Sequence, residues 1–346
     1  MEAASLGLSS GGLARYTGEL SLALARCFPD DEFFLLSDQA FRMPEGAPAN
    51  LKRGGGPRNA AERRWWIWGL DREMHRLGVE LIHGPDFAVP YIPRRPSVLT
   101  LHDLSPWMDP TWHNAAKRVR RRTPLLLDRI ATMIITPGDT VRRQAIEHFR
   151  LQPDRVVAIP EAPAPWLRRV ETAPRETPYF LFVGTLEPRK NLPMLVDAWR
   201  EMRKRHRVDL MIAGRTRSDA PVIAAEPGLQ LIGEVPDEKL AELYSGALAF
   251  LYPSLYEGFG LPILEAMQCG AGVIASRAVA EVGGEAAVYA DDTPSFARAM
   301  CQAVEQPEWS ATRGALSLAH AHEFSWERTA RRTYEVYLEA RKRFEN

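Results

Sequence analysis

Three short apolar runs, each closed by a glycine, constrain the fold of this chain more than any other feature. Tyr179–Val183 ends at Gly184, Asp209–Ala213 at Gly214, and Leu229–Ile232 at Gly233. Helical patterns over 192–203, 237–246 and 261–268 alternate with apolar runs, and two more such runs cover 247–252 and 272–275. Short apolar strands alternating with helices make a parallel sheet covered on both faces. The glycines then fall in the turns after the strands, where open α/β sheets hold their ligands.

The N-terminal half alternates in the same way, less cleanly. Strands are expected at 33–36, 80–83, 97–101 and 132–136, and helices at 14–27, 65–77, 117–130 and 139–149. A Gly-rich turn (Ser9, Ser10, Gly11, Gly12) arrives after only MEAASL, a poor strand. The reading is that a first strand is missing and that the natural chain starts upstream of Met1. Prolines crowd 160–178, which reads as an interdomain linker. The expected division is a first domain over 1–170, a second over 171–325, and a last helix over 326–346 that crosses back to the first. The 346 residues and 45% hydrophobic content are enough for two cores.

Lysine plus arginine equals aspartate plus glutamate, 44 against 44, which argues against a general nucleic-acid surface. Residues 1–172 hold 24 basic against 20 acidic side chains and the remainder 20 against 24, so the halves carry +4 and −4. Cys27, Cys269 and Cys301 are far apart, which fits a reduced compartment with neither a disulfide framework nor a metal-ligand cluster. No signal peptide or membrane span is visible, so the expected location is cytoplasmic. Two segments keep a peripheral contact with the inner face of the membrane open. Trp65, Trp66 and Trp68 beside Arg63 and Arg64 fit either an interfacial helix or, preferably, the core. The run Lys117–Arg122 (KRVRRR) fits equally a solvated face or contact with lipid-linked pyrophosphate acceptors or anionic lipid headgroups.

Two stretches carry chemistry. In 254–270, SLYEGFGLPILEAMQCG, Glu257 and Glu265 are separated by seven residues, and Gly258 and Gly260 flank Phe259. Pro262 suits the first turn of a helix. Glycines before a helix let backbone N–H groups approach an anion. Glu265, about a turn into that helix, is placed to accept from ribose hydroxyls, and Glu257 to hold sugar hydroxyls. An ordinary glycine turn before an exposed helix explains the same spacing. In 184–191, GTLEPRKN, Arg189 and Lys190 follow a strand end. Such a pair suits a diphosphate, since a departing nucleoside diphosphate gains negative charge in the transition state. A solvated charge pair is the alternative.

In their order along the chain, GGLARYTGEL (11–20), LTLHDLSPW (99–107), GTLEPRKN (184–191) and YEGFGLPILEAM (256–267) resemble glycosyltransferase family four. The resemblance extends through 233–254 and FSWERTA (324–330). It implies the GT-B fold, an α/β architecture of two Rossmann-like domains facing across a cleft, and retaining transfer of a sugar from a nucleotide diphosphate. It implies that Arg189 and Lys190 bind the diphosphate, Glu265 the ribose and Glu257 the donor sugar. The backbone at Gly184, Gly258, Phe259, Gly260 and Leu261 would face the sugar and diphosphate, and Val235 the base. Gly11 and Gly12 would admit the donor phosphate and acceptor, His102 would sit near the reacting sugar, and Asp103 would orient the acceptor. Gly138 and Val141 stand where the family often has serines.

GTLEPRKN with the PEAPAP stretch (160–165) is similar to bacterial mannosyltransferases of O-antigen or exopolysaccharide assembly, which makes GDP-mannose the expected donor and a saccharide or lipid-linked saccharide the expected acceptor. A UDP- or dTDP-sugar donor, and a non-catalytic nucleotide- or glycan-binding module, remain alternatives. No cofactor is expected, and no metal: the sequence has no Asp-X-Asp motif, and His320 and His322 read as structural.

Overall fold

The computed structural model describes residues 1–7, 11–112, 123–173 and 175–345. The chain forms two compact units, Met1–Ala162 with Ser325–Asn346, and Pro163–Phe324. The division falls earlier than 170 because Ala164 and Leu167 are fully buried in the second unit's core. Prolines mark where backbone hydrogen bonding stops, not where burial changes hands.

The second unit is a six-stranded parallel sheet of β7 (Tyr179–Val183), β8 (Asp209–Ala213), β9 (Leu229–Gly233), β10 (Ala249–Tyr252), β11 (Val273–Ala275) and β12 (Val288–Tyr289). Their order is β12-β11-β10-β7-β8-β9. The central strands are buried along nearly their whole length, whereas β9 alternates as an edge strand should. Helices Leu192–Arg203 and Leu261–Gln268 bury apolar faces that include Leu195, Trp199, Ile263 and Leu264. The chain leaves β7 toward β8 on one side and returns through β10 on the other. This reversal between β7 and β10 opens a crevice at the carboxyl ends of the two strands.

In the first unit, β3 (Ile82–Gly84), β4 (Ser97–Thr100), β5 (Met133–Thr136) and β6 (Val156–Ala158) form one parallel sheet, and β1 (Phe33–Leu35) pairs in parallel with β2 (Leu51–Arg53). Residues 1–3 run between the two pieces. The Leu36 N–H donates to the Met1 carbonyl (3.0 Å), Ala3 to Leu36 (2.9 Å), and Glu2 to His83 (2.9 Å). Met1–Ala3 thus runs alongside the sheet through one isolated parallel bridge, Glu2 with Leu36. Pairing on both sides holds an intrinsically poor strand sequence extended, because strand propensity follows context.

The Gly12–Cys27 helix buries Tyr16, Leu20 and Leu24. The Trp326–Glu345 helix belongs to this same unit, where Val336 and Ala340 pack on Val98, Met133 and Ile135. Trp65 is fully buried with Leu36, Leu70 and Met74, and Trp66 packs beside it. That assigns Trp65 to the core rather than to a membrane. Trp68 is 37% exposed, with the Arg94 guanidinium over its ring. Residues 65–77 begin as a single π-turn, Trp65–Gly69, before the α-helix Leu70–Leu77. Ser9, Ser10 and the basic run 117–122 lie outside the described residues. Among those described, no helix is long and apolar enough to cross a membrane.

Candidate active site

The turn after β7 and the turn after β10 meet at the strand reversal. Gly184 closes β7, and Pro188–Lys190 forms one 3-10 turn that directs both cations inward. Lys190 is buried: its ammonium donates to Glu257 Oε1 (2.6 Å) and to the Tyr252 hydroxyl (2.6 Å). Arg189 reaches Glu257 Oε2 (2.7 Å) through Nη1, which also donates to the Tyr256 carbonyl (2.6 Å), while Nη2 donates to Glu187 Oε1 (2.6 Å). Arg217 extends the network by pairing with Glu187 and with Asp219. Three cations thus face three carboxylates within one cluster.

Burial alone would push the Glu257 carboxyl up, but Arg189 and Lys190 outweigh it and hold the group down at about 2. Burial lowers the Lys190 ammonium, against the opposing pull of Glu257. Burial, reinforced by the Glu257 charge, raises the Tyr252 phenol well above its ordinary range and keeps it protonated. The cations are already oriented by carboxylates, so an anion brought to this turn would need little reorganisation to be held.

The second wall is the start of the Leu261–Gln268 helix. Gly260 caps it with φ +113°, a left-handed conformation that suits glycine, and Pro262 sits in its first turn. Pro262 has no N–H and the Ile263 N–H donates to the Gly260 carbonyl (2.9 Å), so what this turn presents is chiefly the positive end of the helix dipole. Glu265 is buried a turn further on and accepts from the Tyr244 hydroxyl (3.2 Å). Gly258 and Phe259 are partly buried, Phe259 meeting Phe324 edge-on at 6.2 Å, and Leu261 is buried. Val235 lies just beyond β9, partly buried against the core.

In the first unit, His102 follows β4. Its Nδ1 lies 2.9 Å from Glu161 Oε1 and its Nε2 2.7 Å from the Pro85 carbonyl oxygen, with the Tyr16 ring edge-on at 4.7 Å. Both partners are acceptors, so both ring nitrogens are best satisfied as donors, in the imidazolium form. Burial opposes that charge, but the Glu161 hydrogen bond and charge prevail and raise the His102 pKa above 6.5. The pairing therefore stabilises the fold fully below about pH 6.5 and loses its effect as pH rises through the raised value. Glu161→Gln is expected to move the His102 titration, followed by NMR of the ring, to lower pH; an unmoved titration would contradict the pairing. Asp103 accepts from the backbone N–H (3.0 Å) and hydroxyl (2.7 Å) of Ser105, a local turn. Gly11 caps the Gly12–Cys27 helix at φ +127°.

Sequence reasoning missed Glu187, Arg217, Tyr252, Tyr244 and Glu161. Arg217 follows the β8 glycine, so the strand-end argument that picked out Arg189 covers it too. Glu161 lies 59 residues from His102, and only the fold joins them. His320 bonds the Val282 carbonyl (2.7 Å), a structural role.

The family profile described as Glycosyl transferases group 1 matches residues 177–306, and the profile Glycosyltransferase Family 4 matches residues 10–162. The chain is 35% identical over 284 residues to the O-antigen chain mannosyltransferase B of Escherichia coli, covering 74% of each. The chain belongs to glycosyltransferase family 4. It is a glycosyltransferase with two Rossmann-like units of the GT-B type. Among solved structures it resembles sucrose-phosphate synthase from Thermosynechococcus elongatus (TM-score 0.74, 20% identity, covering 98% of this chain and 97% of that one). It also resembles Anabaena Alr3699/HepE in complex with UDP and glucose (TM-score 0.70, 16% identity, covering 96% and 97%).

Proposed function

We propose that this glycosyltransferase moves mannose from GDP-mannose, with retention of configuration, to a saccharide or lipid-linked saccharide. The observation that carries the donor reading is the meeting of Arg189, Lys190 and Glu257 where β7 and β10 part, beside the start of the Leu261–Gln268 helix. The mannose reading is supported by the similarity to an O-antigen chain mannosyltransferase.

The diphosphate takes up Arg189 and Lys190 beside the positive end of the Leu261–Gln268 helix, and Glu257 turns to the sugar hydroxyls. The bond from the anomeric carbon to the diphosphate oxygen breaks as the acceptor oxygen bonds to the same face. The acceptor proton passes to a diphosphate oxygen. Arg189 and Lys190 stabilise the charge that develops on the leaving group, the role a divalent cation has in other transferases. Glu265 holds the ribose, and Val235 and the backbone of Gly258 to Leu261 contact the donor; in the first unit, Gly11, Gly12, His102 and Asp103 are the residues assigned to the acceptor. No cofactor enters this chemistry.

Release of nucleoside diphosphate in EDTA, compared across GDP-mannose, UDP- and dTDP-sugars, tests this. GDP release only from GDP-mannose, with an α-linked product by NMR, is the expected result. Release from another donor would replace the mannose reading, and no release from any donor would contradict the transfer itself. Glu265→Ala is expected to raise the nucleotide Kd roughly 10–100-fold, as loss of hydrogen bonds to a charged group, with little change in kcat. Unchanged affinity in calorimetry would contradict the ribose role.

A further inference from the structure

The wide spacing of the cysteines gave no reason to expect a metal-ligand cluster, yet the fold assembles one. Cys301 and Glu305 lie four residues apart on the Thr293–Glu305 helix, so both project from one face, a turn apart. His206 arrives on that face from the turn after the Leu192–Arg203 helix. The imidazole, thiol and carboxylate donor atoms all lie within 4.8 Å of one another, and His206 Nε2 is 2.9 Å from Glu305 Oε1. Sequence could not reveal this, because 95 residues separate His206 from Cys301.

We propose that His206, Cys301 and Glu305 form a three-ligand binding site for a zinc ion. One nitrogen, one thiolate and one carboxylate make a borderline-soft donor set, which Zn²⁺ accepts and Mg²⁺ or Ca²⁺ does not. Bond lengths of about 2.0–2.3 Å place tetrahedral ligand atoms roughly 3.5 Å apart, so side-chain rotation of about an ångström closes the set. A neutral imidazole with a thiolate and a carboxylate cancels the dication's charge. The three groups range from half-buried to exposed, leaving a fourth position for water. Without metal, burial and then the Glu305 charge raise the Cys301 thiol, while Arg205 lowers it.

The site stands apart from the donor crevice. Lys190 precedes the Leu192–Arg203 helix and His206 follows it, so they lie at opposite ends of a twelve-residue rod about 18 Å long. Zinc there ties the end of one helix to the face of another and touches no substrate. The proposal stands whatever the donor is.

Cobalt(II) titration of the reduced full-length protein tests it. The wild type is expected to develop a thiolate-to-cobalt charge-transfer band with four-coordinate d–d absorption at one equivalent, displaced by Zn²⁺. Cys301→Ser should abolish the charge-transfer band, and Cys27→Ser should leave it intact. His206→Ala should weaken Zn²⁺ binding at least tenfold, read by competition with a chromogenic chelator, and should remove the zinc-dependent rise in Tm. No band in the wild type, or a band that survives Cys301→Ser, overturns the site.

Discussion

Lys190→Ala is expected to lower kcat about a hundredfold or more, with the fold retained. The ammonium it removes is buried at the reversal between β7 and β10, held by Glu257 and Tyr252 at 2.6 Å each. A fixed donor aimed at developing charge contributes about 2.7–4 kcal/mol in such sites. The same contact adds less to ground-state binding, so the loss should fall on kcat more than on KM. Arg189 stays 2.7 Å from Glu257, so the buried carboxylate keeps a partner and the protein should still fold. Lys190→Arg should not restore turnover, because a planar fork cannot replace a point charge between a phenol and a carboxylate. Steady-state kinetics beside a thermal melt check this; wild-type turnover in Lys190→Ala would remove the residue from the mechanism.

Gly214→Ala is expected to have the largest effect on stability of any single methyl added to the second unit's strand ends. A Cβ at Gly214 would lie 1.9 Å from the Gly184 carbonyl oxygen, and its φ is +136°. The approach is this close because the ends of neighbouring strands lock together: Gly184 donates to the Ala213 carbonyl (3.0 Å) and Gly214 to the Gly233 carbonyl (2.7 Å). Backbone cannot rotate away as a side chain can. Strain and overlap together should cost roughly 3 kcal/mol or more, a fall of about 6–12 °C in Tm. Gly233→Ala is the comparison: φ is +71° with open space around the added carbon, so only the conformational cost of about 1 kcal/mol applies. Equal melting temperatures for the two would contradict the backbone contact. Because Gly184 opens the turn that carries Arg189 and Lys190, Gly214→Ala should also weaken nucleotide binding.

The second unit was legible because its central strands are buried on both faces, so apolar runs coincide with strands. Tyr179–Val183 and Asp209–Ala213 are strands with those bounds. β2 escaped notice: Leu51–Arg53 is short and charged at two of its three residues, with Lys52 and Arg53 exposed. β12 is only Val288–Tyr289 and takes its structure from pairing with β11. The cluster of Arg189, Lys190 and Glu257 was legible as two separate turns, since glycines and charges after strands carry their own signal. What was not legible is mutual: that Glu257 pairs with Arg189 and Lys190, that Glu161 holds His102, and that His206 meets Cys301. Each joins residues tens of positions apart, and only the parallel crossovers bring them together.

The central claim is that cations at this strand reversal hold the diphosphate of a nucleotide-sugar. Calorimetric titration of GDP, UDP, dTDP and ADP into the wild type and Lys190→Ala, in EDTA, tests it most directly. The account predicts one clear binder, GDP, bound at least roughly tenfold more weakly once a charge-assisted contact of about 1.4 kcal/mol or more is lost. Binding by none of the four, or binding that Lys190→Ala leaves unchanged, would contradict it.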